Sequence, residues 1–132
     1  MKILDTDHCI AILRGSLDLG SHARPDEELA VTAISVGELT HGAHKSQRAD
    51  ENLARLDVLL SALTVLPYGG TEARYFGQLK AELQKSGEII SDPDLQIASI
   101  ALEAQSPLLT HNLVHFERLA KKTGLHLEDW VG

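Results

Sequence analysis

Apolar residues in this chain fall into two alternating kinds of run, one short and continuous, the other longer and periodic. Ile3-Leu4 is a short apolar pair that stops at Asp5. Residues 7–14 then carry Ile10, Ile12 and Leu13 inward at helical spacing, and Gly15 ends them. Leu29 to Ile34 is apolar and rich in β-branched residues, the composition of a strand buried on both faces. From Ser35 the helical period returns, with Val36, Leu39 and Ala43 on one side, and residues 50–62 repeat it with Leu53, Leu56 and Leu60, then Leu63. Thr64-Val65-Leu66 is a third short run, closed by Pro67 and followed by a Gly69-Gly70 turn.

The second half keeps the alternation. Ala73, Phe76, Leu79 and Leu83 mark the stripe of a long amphipathic helix, with Gly87 beyond its end. Asp92-Pro93 predicts an N-cap followed by proline at the first helical position, opening a helix through Gln105. Its apolar residues, from Leu95 to Ala104, lie nearly all round it, so this helix is expected to be largely buried. Pro107 to Thr110 reads as a fourth strand, residues 113–122 as a last helix, and Leu125-His126-Leu127 as an edge strand. Strands that alternate with helices predict an α/β fold. Without repeats, linkers or low-complexity tracts, residues 1–132 are expected to form one domain, long enough to bury a real core.

Charge and cysteine usage narrow the function. Acidic residues number 19 and basic residues 12, a net charge of −7. That is a poor match to a protein that grips nucleic acid through a broad basic face. Contact with RNA or DNA would have to run through a bound metal or a local basic strip. The single cysteine, Cys9, rules out an internal disulfide, and only two apolar residues separate Lys2 from Asp5, which is no signal peptide. A cytoplasmic protein is the expectation, and no apolar run approaches the roughly 20 residues that span a bilayer.

Four polar residues fall where a parallel α/β sheet binds ligands, outside the carboxyl ends of its strands. Asp5 ends the first strand, Glu38 lies in the first turn after the second, and Asn112 sits just past the fourth. Asp94 starts the buried helix that feeds the fourth strand. If the first and fourth strands are neighbours, all four side chains face one crevice. Three carboxylates there repel one another unless a cation lies between them, and oxygen donors suit Mg²⁺ or Mn²⁺. Such an ion orients water and stabilises the charge that develops on a phosphodiester.

Each position also has a plain structural reading. Asp5 can cap the next helix. Ser35-Val36-Gly37-Glu38 fits the capping box, so Glu38 can bond back to its own helix start. Asp94 suits a first helical turn on dipole grounds, and Asn112 suits an N-cap. A capping carboxylate can hold a metal as well, and only the four together point to a metal centre.

Other features carry less. His111 and His115 are four apart, but Asn112 stands where the zinc motif needs glutamate. His41, His44 and Lys45 read as a solvated helix face, and Arg14, Lys45, Lys121 and Lys122 as surface charges able to touch phosphate. Cys9 reads as a small core residue. Asp5-Thr6-Asp7 also matches the D-x-D of haloacid-dehalogenase-like phosphatases, yet Cys9 replaces the expected Thr or Val and no lysine motif follows.

Asp5-Thr6-Asp7, Ser35-Val36-Gly37-Glu38-Leu39, Asp94-Leu95-Gln96-Ile97-Ala98, Leu109-Thr110-His111-Asn112 with Phe116, and the closing Leu127-Glu128-Asp129-Trp130 occur in an order that resembles the PIN domain. The likeness spans essentially the whole chain and is best to the small bacterial VapC-type toxins. It implies a three-layer α/β/α domain with a short, mostly parallel central sheet. It also implies a Mg²⁺-dependent endoribonuclease, with Mn²⁺ able to substitute, that acts on RNA as a homodimer and is held inactive by a VapB-like antitoxin. Asp5 and Asp94 fall on the positions of direct metal ligands, and Glu38 would complete the site and position the attacking water. Thr6, Thr110 and His115 would hold ligands or substrate. The family often carries a further acid between positions 112 and 115; here Asn112 and His115 stand instead, so one well-held ion is expected rather than two. A degenerate PIN domain that binds RNA or protein without catalysis is the alternative.

Overall fold

Every short apolar run becomes a strand of one sheet. In the computed structural model, which describes residues 1–132, the strands are β1 (Lys2–Leu4), β2 (Leu29–Thr32), β3 (Thr64–Leu66), β4 (Leu108–Leu109) and β5 (Leu127–Glu128). All neighbouring pairs are parallel, in the order β3-β2-β1-β4-β5. The periodic runs form α1 (Thr6–Leu13), α2 (Ala33–Lys45), α3 (Ala49–Ser61), α4 (Gly70–Lys85), α5 (Asp92–Glu103) and α6 (Leu113–Thr123). No helix is long and apolar enough to cross a membrane.

Side chains alternate across a strand, and the register converts that into two cores. Ile3 lies opposite both Ala30 and Leu108, and all three point into a cluster with Leu79 and Leu83 of α4, Leu95 and Ala98 of α5, and Phe116 and Leu119 of α6. One residue along, Leu4 lies opposite Val31 and Leu109, and these face Cys9 of α1, Leu39 of α2, and Leu56 and Leu59 of α3. The result is the three-layer arrangement that the resemblance implied. Burying one such Leu or Ile contributes roughly 1.5–3 kcal/mol, so an aspartate at Ile3 or Leu4 would break the fold. As the pattern of α5 predicted, Leu95 and residues Ile97 to Ala101 are all buried, and the Ser99 hydroxyl is satisfied by the Leu95 carbonyl at 2.7 Å.

The chain builds β1 to β3 outward and then returns to place β4 against β1. This makes the β1–β4 seam the point where strand order reverses, the usual place for a ligand crevice.

Several boundaries differ from the sequence expectation. Asp5 is the N-cap of α1, which begins at Thr6. β2 stops at Thr32, whose hydroxyl accepts from Ser35 N (3.1 Å) and starts α2 two residues early. Glu38 therefore lies in the second turn, and the capping box read from Ser35 and Glu38 does not form. Ser91, not Asp92, caps α5, accepting from Asp94 N at 3.4 Å; Asp92 is the first helical residue and pairs with Lys80 at 2.9 Å. The helix stops at Glu103, because Gln105 takes a positive φ of 51°. Ala73, expected inside, is exposed. Left-handed Gly124 (φ 78°) sends Leu125 into the core, so β5 starts at Leu127.

Candidate active site

Asp5 leaves β1 at the seam, where its N–H donates to the Leu109 carbonyl at 3.0 Å. The residue is only 8% exposed. Its Oδ1 accepts from His8 N at 2.8 Å and lies 3.1 Å from His8 Nδ1, so helix capping and side-chain orientation come from one oxygen. The next residue, Thr6, donates from Oγ1 to Glu38 Oε1 at 2.7 Å and shares a hydrogen bond with Ser35 Oγ at 2.9 Å. Glu38 is exposed on α2 and joins the site through that hydroxyl.

Across the seam, Asp94 is the third residue of α5. Its Oδ2 lies 3.2 Å from His115 Nε2 of α6, close enough for an ion pair but not aligned as a hydrogen bond. Thr110 is fully buried and its hydroxyl accepts from Asn112 N at 3.0 Å. Asn112 occupies the N-cap position of α6, but its side chain makes no capping bond and is exposed. The capping role read from the sequence is therefore not made.

Asp7 completes an acidic group that sequence reasoning did not single out. Its carboxyl is raised above the ordinary value by partial burial, then by the charges of Asp5 and Asp94. Asp5, Asp7 and Asp94 thus lie in one field and repel one another. The available signal was an acid two positions after the strand-end aspartate. Cys9 has its thiol pushed up to about 12, by burial and then by Asp5, which removes it as a nucleophile.

The closing segment packs beside this group. Trp130 N donates to His8 Nε2 at 3.1 Å, and the indole stacks on His22 with centroids 5.4 Å apart. Asp129 accepts from Val131 N (2.8 Å), Gly132 N (3.0 Å) and, through Oδ2, His111 Nδ1 (2.8 Å). Burial pushes its carboxyl up, but the bonds from Gly132, His111 and Val131 together outweigh that and hold it below the ordinary range.

The donor chemistry fits a hard divalent cation: Asp5, Asp7 and Asp94 offer only carboxylate oxygens, and a cation would relieve the repulsion from Asp5 and Asp94 that adds to burial in raising Asp7. The side chains are nonetheless spread wider than a coordination sphere, for no three Asp, Glu, His or Cys side chains stand close enough to hold an ion. Of the expected acids, Asp5 and Asp94 both act on Asp7, while Glu38 approaches through Thr6.

The fold has known counterparts. The PIN domain family matches residues 2–122. Ribonuclease VapC2 of Haemophilus influenzae is 37% identical over 131 residues, covering 98% of this chain and 97% of the relative. The tRNA(fMet)-specific endonuclease VapC of Salmonella typhimurium is 32% identical, covering 97% and 96%. The crystal structure of VapBC2 from Rickettsia felis, bound to a promoter DNA fragment, contains a chain that superposes with a TM-score of 0.85 at 30% identity, covering 98% of both chains. The chain belongs to the PIN-domain family, among the VapC ribonucleases. That membership displaces the phosphatase reading of Asp5-Thr6-Asp7.

Proposed function

We propose that residues 1–132 form one PIN domain that is a Mg²⁺-dependent endoribonuclease, the toxin of a toxin–antitoxin pair working in the cytoplasm as a homodimer. The carrying observation is the field shared by Asp5, Asp7 and Asp94 at the carboxyl end of the sheet. In this reading Asp5 and Asp94 hold the ion, Asp7 adds charge to the same crevice, and Mn²⁺ substitutes for Mg²⁺. An ion held there would supply Lewis acidity towards the scissile phosphodiester and the attacking water. Glu38 has Oε1 engaged by Thr6, which leaves Oε2 to orient the attacking water and take its proton. In the same reading Asn112, exposed and free of a capping bond, and His115, 3.2 Å from Asp94, contact the RNA backbone. Thr110 holds the Asn112 backbone in place.

The antitoxin is a VapB-like protein, supported by the VapBC relative. An arginine or lysine from it would neutralise the acidic crevice. A groove of about 280 Å³ between α1, α2 and α3, lined by Ile10, Leu13, Leu39 and Leu56 with Glu38 at its edge, suits an apolar segment leading to that basic side chain.

Incubating the purified chain with tRNA in Mg²⁺, with a chelator and Asp5→Ala as controls, tests the reading. Discrete fragments that vanish in both controls support it; cleavage indifferent to chelator overturns it. The spread of the carboxylates favours one competitor, a binding module without catalysis. Titrating Mn²⁺ into wild type and Asp94→Asn separates the two, since a binding module takes up no metal.

A further inference from the structure

His8 is a histidine on the inner face of α1, fully buried, where a helix packed on a sheet ordinarily carries an aliphatic side chain. A buried imidazole is stable only if both ring nitrogens find partners. Nε2 receives the N–H of Trp130 at 3.1 Å, so Nε2 is the acceptor and carries no proton. The neutral ring then has its proton on Nδ1, which lies 3.1 Å from Asp5 Oδ1. The backbone of Trp130 thereby fixes the tautomer, and the tautomer makes Nδ1 a donor to the carboxylate.

Asp5 Oδ1 receives both this bond and the one from His8 N, and Oδ2 receives no hydrogen bond from the protein. The two oxygens are therefore differentiated: one is committed to the fold, the other is left without a protein partner. Leucine would fill the same space and keep the backbone bond to Oδ1, but it would remove the second donor, leaving one contact to restrain a terminal torsion that is broad.

We propose that His8 is a positioning residue: locked as the Nδ1–H tautomer by the Trp130 backbone, it clamps Asp5 Oδ1 and aims Oδ2 at the metal. This rests on the reading of Asp5 as a metal ligand. His8 touches neither ion nor substrate. It transmits the placement of the closing segment to the one buried carboxylate of the site, as outer-shell partners of metal ligands do.

Two conservative replacements separate this role from packing. In His8→Asn the side-chain amide nitrogen takes the place of Nδ1, so the donor to Asp5 is kept and the contact with Trp130 is lost. His8→Gln does the reverse, because its terminal group reaches only as far as Nε2. Mn²⁺ affinity is measured by calorimetry on wild type and both variants, each checked for native circular dichroism. His8→Gln is expected to weaken Mn²⁺ by about tenfold or more, and His8→Asn to stay within about threefold of wild type. Affinity unchanged in His8→Gln, or lost only in His8→Asn, overturns the proposal while leaving Asp5 a ligand. Absence of Mn²⁺ uptake by wild type overturns the metal reading and this inference with it. Ring ¹⁵N shifts of wild-type His8 give an answer that needs no variant to fold: a protonated Nδ1 supports the clamp, and a protonated Nε2 with bare Nδ1 overturns it.

Discussion

On the β1 side of the crevice the Asp5 side chain is 11% exposed and takes two contacts from His8, whereas on the α5 side the Asp94 side chain is 37% exposed and has His115 as its one ion-pair partner. Asp5 is part of the fold's own hydrogen bonding. Asp94 is placed by its helix and otherwise left to solvent. The difference follows from electrostatics: three rigid carboxylates packed together would oppose folding before any cation arrived. Water reaching the partly exposed Asp94 screens its charge meanwhile. In the proposed reading Asp5 is the preset ligand and Asp94 the one that closes on the ion, which would account for acids that share a field without enclosing a point.

The comparison breaks first at Asp5. Asp5→Ala removes an N-cap and strands the buried Nδ1–H of His8, which together cost roughly 2–4 kcal/mol of folding stability. It should also lower RNA cleavage by at least about a hundredfold, the loss of several kcal/mol of charge stabilisation. Urea melts beside cleavage rates check both. Asp94→Asn is expected to match the loss of cleavage while stability moves by no more than about 0.5 kcal/mol. If it unfolds the protein as much as Asp5→Ala does, the two carboxylates are not held differently.

The smallest effect belongs to Asp7, and its sign depends on pH. Its folded-state value is raised above 3.8, so the native state binds this proton more tightly than the unfolded chain. The associated stability is full below 3.8 and is lost as pH rises through the folded value. Metal-free Asp7→Asn should therefore melt higher than wild type at neutral pH and show no advantage below that window. Thermal melts across about pH 3 to about pH 7 in chelator would show it. With Mn²⁺ added the order should reverse, because the variant gives up charge that attracts the ion.

Much of this arrangement was legible in the chain. Short apolar runs separated by helical periods fixed five strands and six helices in order, and strand-end placement picked out Asp5 and Asp94. The Asp5 cap was legible, but those of α2 and α5 were not, because Thr32 and Ser35, or Ser91 and Asp92, are chemically interchangeable candidates a few residues apart. Which one caps depends on where the strand before it must stop. His8 was hidden for another reason: its partners are Asp5, three residues away, and Trp130, at a separation of 122. No local pattern announces a contact of that range. Asp7 stood in the sequence only as part of the Asp5-Thr6-Asp7 motif, and the fold is what brings Asp94 close enough to act on it.

Cys9, inert as a catalyst, has a use that follows from its burial. It is the sole sulfhydryl, lies at 0% exposure against the β1 side of the sheet, and has its thiol pushed up to about 12. An alkylating reagent reaches it only when α1 lifts away, so the labelling rate is a clock for opening of the helix that Asp5 caps and that carries Asp7 and His8. Anything that seals the crevice, whether cation or protein inhibitor, should slow that clock without touching the sulfur.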